Sequence, residues 1–345
     1  MKASAASTAQ EAGDKVNTKK SWPLWKKLAI VGIILIIVIP LAVGLGVGLS
    51  KNKGGDDDDS SGGDDQDDSG SDNDTPGDDT NRTSIWQPEV GAAWQIILLK
   101  PIEISDDGKV TPDVDIYDID LYDNDESTFS ALHKAGKKVI CYFSAGSWEN
   151  WRDDKDDFKE ADLGDELDGW PDERWLNVSS PAARTIIKKR IEYAAEKGCD
   201  AIDPDNVDGF QNENGLDLTS DDAISFVKFL ADTAASFNMS TGLKNAGDII
   251  PDVISDVHFS VNEQCVEYAE CETFAEFIEN DKPVFHIEYP EGTPNKVSSK
   301  DSSEICSKKG KAAGTEDFST VIKTMDLNGW VQYCDGKKYT TDVDA

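Results

Sequence analysis

Hydrophobic and polar positions divide the chain into three stretches that follow different rules. Residues 28–49 form an apolar run of 22 residues without a charge. At a helical rise of about 1.5 Å per residue, that length predicts a segment able to cross the hydrocarbon core of a bilayer. Pro40 and the glycines Gly44, Gly46 and Gly48 would interrupt a soluble helix, but a spanning helix tolerates them. In residues 54–80 the pattern inverts: 12 Asp and no Lys or Arg, set among Gly and Ser. Nothing there can build a core, so a self-repelling, extended tether is expected. Beyond it, short apolar runs alternate with amphipathic stretches to the end of the chain.

The apolar runs predict strands at 94–99, 114–121, 138–144, 201–205, 241–245, 258–262, 284–288 and 318–323, with a short ninth at 175–178. Helical patterns fall between most of them. One covers 128–135 and stops at Gly136; another covers 182–197, opened by Pro181 and closed by Gly198. Thr219 caps a third at 220–237, and 273–279 and 302–309 follow. Eight strands alternating with helices over a domain of this size predict an α/β fold, a parallel (β/α)8 TIM barrel. The expected organisation is a tail at 1–27, a transmembrane segment at 28–49, a stalk at 50–82 and the barrel at 83–345.

Charge adds a direction. Lys15, Lys19, Lys20, Lys26 and Lys27 precede the apolar run and Lys51 and Lys53 follow it, which places the N-terminus in the cytoplasm. Trp22 and Trp25 sit where an interfacial belt is expected. A cleaved signal peptide is the competing reading, but the run exceeds a normal signal-peptide core and no small-residue cleavage site closes it. The expectation is a single-pass type II signal anchor in the plasma membrane, with the barrel outside the cell. The net charge is −34, of which −28 falls after residue 80. That field repels nucleic acid and draws a cationic partner.

All six cysteines fall in the barrel region, an even number suited to an oxidising compartment. Cys265 and Cys271 are close enough to close a small loop, Cys306 and Cys334 flank the last structured segment, and Cys141 and Cys199 are either buried thiols or a third bridge. Three histidines and no metal-ligand spacing argue against a metal site, and no cofactor motif is present. Sequons stand at Asn73, Asn81, Asn177 and Asn238.

The densest chemistry is D-A-I-D-P-D-N-V-D-G at 200–209. Asp203 and Asp205 are two apart, so on a strand they share a face. Active sites of this fold lie at the C-terminal ends of the strands. Those ends deliver Asp118, Asp120 and Asp123; Ser144, Gly146, Trp148 and Glu149; Asp203, Asp205, Asn206 and Asp208; Lys244 and Asn245; Asn262 and Glu263; Glu288 and Tyr289. Aromatic rings stack on pyranose faces, and carboxylates and amides hold hydroxyls or amines. The set therefore predicts a sugar site, and two carboxyl groups across one bond are what glycoside hydrolysis needs.

The series Y-D-I-D-L-Y-D, V-I-C-Y-F-S-A-G-S-W-E, W-P-D-E-R-W-L-N-V, D-P-D-N-V-D-G-F, G-L-K-N, N-E-Q-C and H-I-E-Y resembles glycoside hydrolase family 114, the endo-α-1,4-polygalactosaminidases, from about Trp86 to Lys323. The resemblance implies endo-cleavage of α-1,4-linked galactosamine-containing polysaccharide, a polymer that is cationic where deacetylated. It also implies catalytic carboxylates on the fourth and sixth strands, here Asp205 and Glu263. Asp205 is then the expected nucleophile of a retaining mechanism, with Asn206 and Lys244 beside it, and Glu263 the acid/base. Asp203 is the rival nucleophile. Asp203, Asp208, Asp120, Trp148, Glu149, Asn245, Glu288 and Tyr289 are the remaining candidates for substrate contact. The D-x-x-D-x-D start of the family 18 chitinase motif also occurs, but Val207 stands where that motif needs Glu. A non-catalytic glycan-binding barrel on the cell surface, or a different α-galactoside specificity, remains an alternative reading.

Overall fold

A computed structural model describes residues 85–105 and 108–344. The expected anchor at 28–49, the stalk, and the sequons at Asn73 and Asn81 lie outside the described residues. Among the described residues no helix is long and apolar enough to cross a membrane.

The backbone of the fold is a ten-stranded sheet. Eight strands run parallel in it: β1 (Trp94–Ile97), β2 (Ile116–Asp120), β3 (Lys138–Ser144), β7 (Ala201–Asp205), β8 (Ser240–Lys244), β9 (Phe259–Glu263), β10 (Val284–Glu288) and β11 (Ser319–Ile322). Between β3 and β7 a separate antiparallel sheet is inserted, made of β4 (Ser147–Glu149), β5 (Leu163–Glu166) and β6 (Glu173–Leu176). The short strand expected at 175–178 overlaps β6 at residues 175 and 176 and lies two residues too far along the chain.

The architecture is α/β with the curled sheet of a TIM-like barrel, and it departs from the expected eight-stranded ring at one place. The outer edge of β11 pairs with β12 (Trp330–Tyr333), which in turn pairs with β13 (Lys338–Thr340), both antiparallel. The edge that would close onto β1 is therefore occupied. Side chains span the seam instead: Trp94 Nε1 donates to Ser319 O at 2.7 Å, and Lys323 Nζ donates to Ile96 O at 2.6 Å and Gln95 Oε1 at 3.0 Å.

Strand parity sorts the core. Ile96, Ile116, Ile140, Phe259, Val261 and Ile287 belong to one buried cluster on the concave side. The other face packs the larger cluster under the helices. Gly242 faces Phe259 so closely that a Cβ would lie 2.4 Å from its ring, so glycine makes room for that aromatic.

The helices are α1 (Glu126–Lys134), α2 (Pro181–Lys197), α3 (Ser220–Ser236), α4 (Ile250–Val253), α5 (Cys265–Tyr268), α6 (Cys271–Glu279) and α7 (Ser299–Ile305). α2 starts with Ser180 accepting from Ala183 N and Pro181 in the first turn, and it ends on Gly198 at φ 89°. Thr219 and Asp222 form a reciprocal capping box on α3. Two buried cations of α2 fix strand ends. Lys197 Nζ donates to Leu121 O (2.7 Å) and Asn124 O (2.6 Å), and Arg190 Nη1 donates to Ser144 O (2.6 Å). Cys141–Cys199, Cys265–Cys271 and Cys306–Cys334 are disulfides, so the first pair is a bridge rather than two thiols.

Candidate active site

The last side chains of β7, β8 and β9 converge at the C-terminal end of the sheet. Lys244 Nζ, almost fully buried, lies 3.2 Å from Asp205 Oδ1 and 3.4 Å from Glu263 Oε2. Burial works against its charge, but Asp205, Glu263 and Asp203 together outweigh that and hold the ammonium well above its ordinary range. Asp205 is fixed at both oxygens. Asn206 N donates to Oδ1 at 2.8 Å and the Tyr142 hydroxyl donates to Oδ2 at 2.8 Å. Glu263 is fixed in the same manner: Asn245 Nδ2 donates to Oε2 at 3.2 Å, and the Tyr289 hydroxyl donates to Oε1.

The backbone after each of these strands turns sharply. Asn206, Asn245, Ala246 and Gln264 all have positive φ, between 47° and 63°. Gly146 passes beside one of these turns, and a Cβ there would meet Asn206 O at 1.8 Å, so no other residue fits without moving the chain. Its amide and that of Ala145 both donate to Asp205 O at 3.0 Å.

Beneath this layer lie two carboxyls with no exposure, Asp118 and Asp203, which interact with each other and, among the described residues, accept from no other side chain or amide. Burial and the charge of Asp203 push Asp118 well above the usual carboxylate range. Burial, with Asp205 and Glu263 adding to it and Lys244 opposing, pushes Asp203 up to about 7. Asp203 thus shares a strand face with Asp205 but sits below the mouth. Asp208, half-buried on the turn after β7, is pushed up to about 6 by burial and the charge of Asp205.

The remaining sequence candidates divide between two other places. Asp120 and Glu149 are buried around Arg152: Nη2 donates to Asp120 Oδ2 at 2.9 Å, and Nε donates to Glu149 Oε1 at 3.0 Å. Arg190 Nη1 adds a 3.3 Å contact to Glu149 Oε2. Trp148 is half-buried and donates its indole N–H to Lys155 O at 3.0 Å. Glu288 lies on the opposite face of β10 from Tyr289. There it is 2.9 Å from His286 Nε2 and accepts from Val266 N at 2.7 Å, with no ion pair to Lys244 among the described residues.

Several residues that bear on the site were not singled out from the sequence. Tyr142 lies two residues before Ser144 on the same face of β3, a position that alternation alone could have found. Glu173 accepts from Ser147 Oγ at 2.9 Å. Trp151 and Trp170, 52% and 56% exposed, lie on the insert after β3, and Tyr268, 59% exposed, ends the short helix after β9. Among the described residues the one grouping of metal-type donors is Cys265, Cys271 and His286, whose sulfurs are bonded to each other. A separate cavity of about 810 Å3 opens at the opposite end of the strands, beside Thr111–Val114 and Tyr339.

Two carboxylates bridged by one ammonium, at the C-terminal mouth of a curled parallel sheet, have the form of a glycosidase centre. The family model for glycoside-hydrolase family GH114 matches residues 75–339. The chain belongs to that family and is a glycoside hydrolase, an endo-α-1,4-polygalactosaminidase. Among solved structures it is similar to Aspergillus fumigatus Ega3 in complex with galactosamine, at 55% identity and a TM-score of 0.68, covering 74% of this chain and 100% of that one. It shares its fold with the glycoside hydrolase domain of PelA from Pseudomonas aeruginosa, at 12% identity and a TM-score of 0.50, covering 72% of this chain and 99% of that one. A comparison with curated proteins returned no match.

Proposed function

We propose that this protein cleaves α-1,4-linked galactosamine-containing polysaccharide internally, with Asp205 as nucleophile, Glu263 as acid/base and retention of anomeric configuration. One observation supports this reading above the others: Lys244 Nζ touches both carboxylates, at 3.2 Å and 3.4 Å. Their nearest oxygens are therefore separated by no more than those two distances laid end to end. Retaining enzymes hold the pair about 5–5.5 Å apart, and inverting enzymes about 6.5–9.5 Å to admit a water. The bound lies at the low edge of the inverting range and encompasses the retaining one.

Asp205, held at both oxygens, has the fixed aim a nucleophile needs. Glu263 then protonates the leaving oxygen and afterwards takes a proton from water. Asp208 and the exposed rings of Trp151, Trp170 and Tyr268 contact further units of the polymer. The galactosamine bound by Ega3 and the strongly acidic charge of this chain both favour a cationic, at least partly deacetylated polymer. The eight parallel strands act as a (β/α)8 barrel closed at the β1–β11 seam by side chains.

The anchor and orientation belong to the same proposal: residues 28–49 hold the enzyme in the plasma membrane, single-pass and type II, with the hydrolase outside. Release of the hydrolase by external protease from intact cells tests the orientation. For the activity, polymer is incubated with wild-type, Asp205→Asn and Glu263→Gln proteins and the products are profiled by mass spectrometry. Shorter oligomers from wild type alone are expected. Wild-type protein that binds polymer and releases nothing contradicts the proposal and favours a glycan-binding surface protein.

A further inference from the structure

Glu173 differs from its cross-strand neighbour Glu149 in what it lacks. It opens β6 and pairs across the insert with Glu149 on β4, so the two side chains share a face. Glu149 is matched by Arg152 and Arg190. Glu173 makes no ion pair among the described residues. The neighbouring Arg174 is turned away, donating to Gly164 O at 2.9 Å and pairing with Glu160 at 2.9 Å. Among the described residues the only side-chain bond to Glu173 is from Ser147 Oγ to Oε2, at 2.9 Å, which leaves Oε1 open to them.

A chain of hydrogen bonds fixes Glu173 relative to the reacting carboxylate. Ser147 Oγ is 2.5 Å from Ser144 Oγ, and Asn206 Nδ2 donates to both, at 3.3 Å and 2.9 Å. Asn206 N then donates to Asp205 Oδ1 at 2.8 Å. Glu173 is therefore a half-buried carboxylate tied to Asp205 through this chain of bonds and, among the described residues, without a direct ion pair. Burial pushes its carboxyl up to about 7; the bond from Ser147 and the charge of Arg152, which makes no direct pair with it, oppose this, and Glu149 and Asp205 add to it. Desolvating a carboxylate without a cation is unfavourable, and a cation delivered by a ligand removes that penalty.

The geometry points to Glu173 as the receptor for the ammonium of a deacetylated galactosamine unit next to Asp205, so that the acetylation state of that unit decides where the polymer is cut. The inference rests on the substrate reading of the preceding subsection. An N-acetylated unit brings a neutral amide and leaves Glu173 unmatched. A hydrogen bond to a charged group corresponds to about ten- to hundredfold in affinity, so discrimination of about tenfold or more at one subsite is expected.

The test is a digest of randomly N-acetylated α-1,4-galactosamine polymer by the full-length wild-type and Glu173→Gln proteins, with the products sequenced by tandem mass spectrometry. The glutamine keeps an oxygen for Ser147 and removes only the charge. At one fixed position from the cut, the ratio of deacetylated to N-acetylated galactosamine in wild-type products is expected to be about tenfold above that of the polymer. In the Glu173→Gln digest that bias falls by about tenfold at the same position. A variant with the wild-type bias overturns the inference. So does a wild-type digest with no positional bias, a readout that needs no variant to fold. A wild type that releases no oligomers overturns the substrate reading and takes this inference with it.

Discussion

Lys244 Nζ stands 3.2 Å from Asp205 Oδ1, and the same ammonium reaches Glu263 Oε2 at 3.4 Å. One buried cation thus serves two carboxylates brought from different strands. Lys244→Met keeps the stem and removes the charge. With two carboxylates left facing each other in a buried site, the variant is expected to lose about 3–5 kcal/mol of stability at neutral pH. Part of the loss should return on acidification, as one carboxylate takes a proton. Urea titrations at pH 5 and pH 8 measure both effects; a deficit that does not change with pH contradicts this account.

Removing either carboxylate's proton or charge chemistry should affect turnover rather than binding. Glu263→Gln is expected to lower kcat by about 10²–10⁴-fold with little change in KM. Asp205→Asn should fall at least as far. The double variant should be barely worse than the poorer single one, because the two groups act as a unit. Initial rates on polymer, read as new reducing ends, check this.

Tyr142 and Tyr289 orient the two carboxylates through their hydroxyls. Phenylalanine at 142 removes a hydrogen bond to a charged group worth about 1.5–3 kcal/mol. About a tenfold or larger fall in kcat is expected, with the fold kept. A Tyr142→Phe enzyme with the wild-type kcat would remove the hydroxyl from the account.

The Asp118–Asp203 pair gives stability a pH dependence with a definite sign. Asp203 holds its proton up to about 7 in the folded protein, against an ordinary value of 3.8. The native state then binds a proton that the unfolded state has released, so this group lowers stability as pH rises from about 4 to about 7. Asp203→Asn removes the titration. Its melting temperature relative to wild type should therefore rise between pH 4 and pH 8. A difference that is flat across that range contradicts the assignment.

Much of the sheet was legible because parallel strands buried on both faces read as apolar runs ended by polar residues. The strands at 138–144, 201–205 and 284–288 have those bounds in the structure. The insert of β4, β5 and β6 was not legible beyond one short strand. Residues 147–176 carry 12 acids and four bases, which masks any two-residue apolar period. β12 and β13 escaped as well, and with them the reason β11 does not pair with β1.

In the site, strand-end logic placed Asp205, Glu263, Lys244, Asn245, Asn206 and Tyr289 together. It also proposed both Glu288 and Tyr289 as mouth residues, although neighbours on a strand face opposite sides. That parity sends Glu288 to His286 and Val266. Asp203 and Asp205 share parity and differ in depth, and depth depends on how strongly the sheet curls, which no linear pattern records.

The central claim is tested most directly by following, with proton NMR, the first reducing ends formed when the wild-type protein digests deacetylated α-1,4-galactosamine polymer. Endo-cleavage with Asp205 as nucleophile predicts short oligomers whose new ends appear first as the α-anomer and only later equilibrate with β. New ends appearing first as the β-anomer, or no new ends at all, would contradict it.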